Sequence, residues 1–230
     1  ALDASYVDHF TLLGDRPLNI GSADSGFLLD GHHNVLSDSG IRFSAGNGVS
    51  LVGDECTVTG STIHDVNYVG VYCATINTGK NRTRNNTITG NTLYNAGRDV
   101  VQHTGAENLT LTHNTIYGTN VGDLTRDLGC TYAIATNYMQ SEIAYNRIYD
   151  DGYTYAGIYL DGYGENAWVH HNVISGMRYA ILLNSPIAYT LEHNTADPLA
   201  GYRSLTGIVD DSVPEELNRM VIRNNILPEY

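Results

Sequence analysis

Three aspartates stand where the chain could perform acid–base chemistry. Asp127 and Asp151 each precede an isoleucine, Ile134 and Ile158, by seven residues, and Asp161 closes the segment Gly157-Ile158-Tyr159-Leu160-Asp161. Cleaving a glycosidic bond needs two carboxyl groups, one to protonate the leaving oxygen and one, ionised, to attack or to activate water. Separations of about 5 Å suit retention and roughly 6.5–9.5 Å inversion. Equal offsets predict Asp127 and Asp151 on adjacent rungs, within about 5 Å by strand spacing, and Asp161 offers Asp127 a wider partner. The favoured catalytic pair is Asp127 and Asp161, with Asp151 third. Mutual repulsion in such a pair raises one pKa and makes that group the acid. The plainer reading is that Asp at a corner bonds its own backbone or a neighbouring Arg: Arg126 precedes Asp127, and Arg98 precedes Asp99.

Around these carboxylates the sequence offers groups suited to holding a sugar. Tyr72, Gln102, Asn137 and Tyr159 are expected at outward strand positions, with Tyr132, Tyr153, Tyr155 and Tyr163 in nearby loops and Arg126 beside Asp127. Aromatic faces stack on the apolar faces of sugar rings, and Tyr adds a hydroxyl at the rim; tyrosines also ladder on such surfaces simply to pack. His103, next to Gln102, is expected in the cleft as an acid/base or a substrate contact. His33, His113, His171 and His193 form a column in which Glu192 could supply a further metal ligand, but no tight His/Cys motif accompanies it and no metal is expected. Cofactors are likewise not expected. The acidic stretch Asp210 to Glu216 could attract Ca²⁺, yet its spacing is not that of a calcium loop and a solvated turn is the better reading. Gly162-Tyr163-Gly164-Glu165-Asn166 begins like a phosphate loop without its third Gly or its helix.

What must position these groups is a repeat. Leu111-Thr112-His113-Asn114-Thr115-Ile116 returns as Ile143-Ala144-Tyr145-Asn146-Arg147-Ile148, as Val169-His170-His171-Asn172-Val173-Ile174 and as Leu191-Glu192-His193-Asn194-Thr195-Ala196. Further copies centre on Asn34, Ser61, Asn91 and Asn224, giving intervals of 27, 30, 23, 32, 26, 22 and 30 residues. These intervals fit one solenoid coil plus loops of varying length. Asn suits a tight corner because it tolerates left-handed backbone and its amide can bond the next amide up the stack. A second strand precedes each phrase, at Gly70-Val71-Tyr72-Cys73, Tyr132 to Ala135, Gly157 to Asp161, Ala180 to Asn184 and Gly207 to Asp210, on another face. Hairpin architectures want Asn-Gly turns between strands, and only Asn47-Gly48 is present. The expected fold is all-β: a single-stranded right-handed parallel β-helix, a solenoid of about eight coils carrying an Asn ladder, in one domain over residues 1–230 that could be part of a longer protein.

The phrases HNTIY, YNRIYD, GIYLDG and WVHHNVI resemble the right-handed parallel β-helix (pectate-lyase-like) repeat of carbohydrate-active proteins, from about residue 20 onward. Arg126-Asp127-Leu128-Gly129, Glu142-Ile143-Ala144-Tyr145-Asn146 and Gly157-Ile158-Tyr159-Leu160-Asp161 are similar to β-helix glycoside hydrolases with α-fucosidase and xylanase members. The resemblance implies a glycoside hydrolase acting on a polysaccharide or oligosaccharide.

Composition bounds the partners. Lys+Arg 12 against Asp+Glu 25 gives a formal charge of −13, which repels phosphate backbones and anionic membrane surfaces, so neither nucleic acid nor membrane is expected. No apolar run approaches the ~18 residues needed to span a bilayer. A chain starting without Met and without a signal pattern reads as a processed secretory protein or an excised domain; the expected location is secreted, extracellular. Cys56, Cys73 and Cys130 match no metal spacing, and Cys56 and Cys73 could bond or stack. Sequons stand at Asn81, Asn85 and Asn108. Two rivals accompany the hydrolase. A polysaccharide lyase would use Arg98, Arg126 or His103 against an acidic sugar. A non-catalytic rod, such as a fibre, an adhesin or a glycan-binding structural protein, would self-associate through its open terminal coils.

Overall fold

In the computed structural model of the chain, the residues described are 7–8, 26–79, 82–150, 154–208 and 219–228. They form three eight-stranded sheets in which every strand pair is parallel and each strand bonds to its counterpart one coil away. The chain passes through the sheets in turn, so they are the walls of one cylinder. The first wall holds Thr110–Thr112, Asn137–Ala144, Glu165–His170 and Ala188–Glu192. The second follows the Asn corner, with Thr115–Tyr117, Arg147–Tyr149 and Val173–Ser175. The third holds Val101–Gln102, Gly129–Ile134, Ala156–Asp161 and Tyr179–Asn184.

Period-two alternation accounts for the walls. In the first wall Leu36, Val58, Ile88, Leu111, Ile143, Val169 and Leu191 all point inward and are buried. The second wall adds Ile41, Ile63, Leu93, Ile116, Ile148 and Ile174. These columns join one contiguous core, and their like-on-like stacking at the strand spacing of ~4.8 Å buries branched aliphatics where β-propensity also favours them.

The repeated phrase is not one strand but two, folded about a corner. The residue in left-handed conformation is the one before the ladder amide: His113, Tyr145, His171 and His193 have φ of 58, 56, 51 and 56°. The ladder itself runs Ser39, Ser61, Asn91, Asn114, Asn146, Asn172, Asn194, Asn225, each after Ser39 accepting from the backbone N–H of the residue one coil before it. Two sequence assignments are therefore corrected. Asn224 (φ 56°) supplies the left-handed turn and Asn225 the amide. Asn34 lies at the other corner, where the third wall enters the first, in the column of Cys56 and Asn86. His33 (φ 58°) followed by Asn34 mimics the ladder dipeptide because that corner also needs left-handed backbone. Two further expectations change. There are three strand families rather than two, and residues 70–73 form no strand, the third wall passing instead through Ile76–Asn77. Cys56, Cys73 and Cys130 are buried, and none is in a disulfide.

Gly97 fixes the loop that leads into the site. A Cβ there would stand 1.8 Å from the carbonyl oxygen of Asn67, so backbone must move to admit it. Gly97→Ala is expected to lose about 2–3 kcal/mol in urea unfolding, with displacement of the adjoining Arg98.

Candidate functional site

On the outer face of the third wall, strand register places Gln102, Tyr132, Tyr159 and Leu182 in one column, with Ile134 and Asp161 paired in the next outward row. Most of this column is buried although it lies outside the cylinder. Tyr132, Ala156, Tyr159 and Leu182 form a separate apolar cluster with Tyr155 and Tyr179 packed against it. The turns before the third-wall strands thus fold over the wall and bury part of what would otherwise be an open sheet face.

Two carboxylates reach this cluster from different directions. Asp161 is buried, accepting a hydrogen bond from the Tyr132 hydroxyl at 2.9 Å and another from Asn184 Nδ2 at 2.7 Å. Asp127 has a side chain 58% exposed and is held by Arg98, whose Nη2 donates to the Asp127 carbonyl at 2.7 Å and lies 3.5 Å from Oδ2. Burial and then the charge of Asp161 raise the Tyr132 and Tyr159 phenols above their ordinary range, and the charge of Asp127 adds to both. Both aspartates are thus within electrostatic reach of the same two phenols. Such phenols stay protonated at neutral pH and act as donors.

Arg98 is the linchpin of the covering loops. Its guanidinium stacks 3.5 Å from the Tyr72 ring centroid and 5.4 Å from that of Tyr132, and it lies between Asp99 and Asp127, with Nε 3.5 Å from Asp99 Oδ2. Burial pulls its pKa down, but the neighbouring Asp99 and Tyr72 leave it raised overall. Asp99 is fully buried and accepts from the Gly129 N–H at 3.1 Å. Burial pushes its carboxyl up to about 7, against the pull of Arg98 and of that hydrogen bond. An unfolded Asp titrates near ~3.9, so the fold favours the protonated acid. The stability this gives is full below about pH 4 and is lost as pH rises through about 7. Compared by urea unfolding at pH 5 and pH 8, wild type should lose about 1 kcal/mol or more relative to Asp99→Asn over that interval.

The remaining residues expected at the site fall into distinct places. Gln102 is on the predicted outward face but is buried, its Oε1 accepting from Asn77 Nδ2 at 2.7 Å. Tyr159 is outward and buried, edge-on to Tyr132 at 5.2 Å. Tyr72 belongs to a covering loop rather than a strand. Tyr163 is half exposed at the turn beyond Asp161. Arg126 lines a small cavity of about 140 Å³ together with Arg178, Tyr155 and Leu128.

Three expectations are corrected. Asn137 lies around the corner on the first wall, donating to Glu165 at 2.7 Å, and takes no part in this cluster. His103 points into the cylinder, packed 5.7 Å from the Tyr138 ring with neither ring nitrogen hydrogen-bonded; burial pushes its pKa down to about 3. The equal offsets of Asp127 and Asp151 do not survive the register, which pairs Thr131 with Ile158 and Ile134 with Asp161. Asp151, Tyr153 and the stretch 210–216 lie outside the described residues. The His column is a ring stack interrupted by Tyr145, with centroids 4.9, 5.0 and 4.9 Å apart from His113 to His193. Glu192 is engaged by Trp168 Nε1 at 2.8 Å and by Arg223.

Sequence reasoning placed Asn184 at a strand end without a site role and named Tyr132 both in a strand and among nearby loops, yet the register that carries Ile134 to Asp161 puts Asn184 one coil further on. Arg98 and Asp99 were legible as a neighbouring pair, and Arg98 as a candidate for the lyase, but not as the contact that joins the covering loops. The family described as "Right handed beta helix region" matches residues 25–197. Comparison with curated proteins finds none that matches.

Proposed function

Because the chain belongs to the right-handed β-helix family, a fold shared by carbohydrate-active enzymes and structural proteins, we propose that it is a secreted glycoside hydrolase whose reaction runs on the outer face of the third wall. The observation that carries this reading is the convergence of Asp161 and Asp127 on one tyrosine-lined cluster, each held differently. A carboxylate fixed by two donated hydrogen bonds is oriented as an acceptor, so Asp161 is the nucleophile or base. Asp127, at the solvent edge, delivers the proton to the leaving oxygen. Tyr72, exposed at the edge of the cluster, supplies a ring to a polysaccharide or oligosaccharide chain, and buried Tyr159 supports it from beneath. The excess of carboxylates, 25 against 12 basic residues, favours a neutral glycan over a polyanion.

Arg126 and Arg178 sharing one cavity near Leu128 favour a second reading, a lyase acting on an acidic sugar. A broad polysaccharide and aryl-glycoside panel separates the two. Wild type should release reducing ends from a neutral glycan, and folded Asp127→Asn and Asp161→Asn should lose that release. Unsaturated products would identify the lyase, and no turnover on any glycan would leave a binding or structural rod.

A further inference from the structure

The first wall carries a second surface built for a ligand, independent of the third-wall cluster. Trp168 is the single tryptophan of the chain, and it stands on this wall 42% exposed. Its indole is held on two sides: Nε1 donates to Glu192 Oε1 at 2.8 Å, and the His170 ring packs beneath it at a centroid distance of 3.7 Å. His170 is in turn fixed by Glu142 at 3.0 Å, and Glu192 by Arg223 at 2.5 Å. An exposed aromatic with its rotamer already fixed loses little entropy on binding, which is what a stacking platform requires.

The indole lines an open groove of about 620 Å³. Its other walls mix polar side chains, Glu142, Asn166, Thr190 and Arg219, with the apolar Leu109 and Ala188. The residues come from five successive coils, so the trough runs about 19 Å along the cylinder at ~4.8 Å per rung. One exposed, rigidly held aromatic among scattered donors and acceptors matches a ligand with one apolar ring face and hydroxyls around its edge. It does not match an apolar helix, which needs a continuous hydrophobic surface, and the overall charge of −13 opposes a polyanion. We propose that this groove is a binding site for a neutral oligosaccharide chain, with Trp168 as its stacking platform. The site lies on a different wall from Asp161 and holds glycan without cleaving it.

Because no other tryptophan is present, emission excited at the red edge, beyond the absorption of the tyrosines, reports this site. Titration with cellohexaose, xylohexaose, mannohexaose and maltohexaose should give a saturable change with at least one of them. The same change should persist in Asp161→Asn, whatever becomes of turnover. Affinity electrophoresis in the matching polysaccharide should show Trp168→Ala retarded roughly tenfold less strongly than wild type, and Trp168→Phe in between. Unchanged emission with all four sugars in the folded protein would overturn the proposal, as would undiminished retardation of Trp168→Ala. An emission change driven by protein concentration alone would overturn it too, by identifying a second copy as the occupant.

Discussion

Asn146→Ala should unfold at markedly lower urea, with about 3–5 kcal/mol of stability lost. Asn146 sits in the middle of the ladder and is almost fully buried. Its Oδ1 accepts from both the backbone N–H and the side-chain amide of Asn114, at 3.0 and 3.1 Å. Its own Nδ2 donates to the Leu111 carbonyl at 2.8 Å and to Asn172 Oδ1 at 3.0 Å. Truncation leaves the Asn114 N–H without its acceptor and weakens satisfaction of the Leu111 carbonyl, and both groups are buried. Each buried orphan costs about 1–3 kcal/mol. Asn146→Ser should recover part of the loss, because Ser61 already occupies a rung and accepts the Ser39 N–H at 3.2 Å. The expected order of urea midpoints is Asn, then Ser, then Ala; equal midpoints for all three would show that the ladder contributes no stability.

The second large effect concerns chemistry rather than folding. Asp161→Asn should lower turnover by about 10³-fold or more, as expected for removing a nucleophile or base, while the unfolding midpoint changes little. The amide has the same shape and can still accept from one neighbour and donate to the other, so Tyr132 and Asn184 keep partners. Substitution of Asn184 by Ala should cost less, since it leaves the carboxylate and one of its two donors in place. Loss of the fold in Asp161→Asn, or unaltered turnover, would make Asp161 a structural corner residue.

The sequence discloses the architecture because the repeat is enforced by packing. An inward aliphatic in every coil and an amide at every rung leave a periodic trace, and the trace survives insertions because these fall in loops. Its errors have a common cause. Left-handed backbone is needed at two corners per coil, so His33-Asn34 looks like His113-Asn114 and draws the rung away from Ser39. Offsets counted across loops of unequal length cannot give register, which is why Asp127 and Asp151 seemed aligned when Thr131 in fact pairs with Ile158.

The site was half legible for the same reason. Asp161 and Tyr159 are set by strand alternation, which short-range sequence reveals, and both are outward as read. His103 follows Gln102 directly and must therefore face the opposite way, into the cylinder, a consequence of alternation that its neighbours' chemistry obscured. The covering roles of Arg98, Tyr72 and Tyr155 depend on how loops fold back over the third wall, and no local pattern specifies that. Trp168 was visible only as part of a strand phrase; its fixed pose comes from His170, Glu142 and Glu192 on three different coils.

The most direct test of the third-wall site is a crystal structure of Asp161→Asn soaked with whichever oligosaccharide the wild-type chain turns over. The account predicts sugar density against exposed Tyr72, with the scissile oxygen within hydrogen-bond reach of Asp127. Sugar bound elsewhere on the cylinder, with the surface between Asp127 and residue 161 unoccupied, would contradict it.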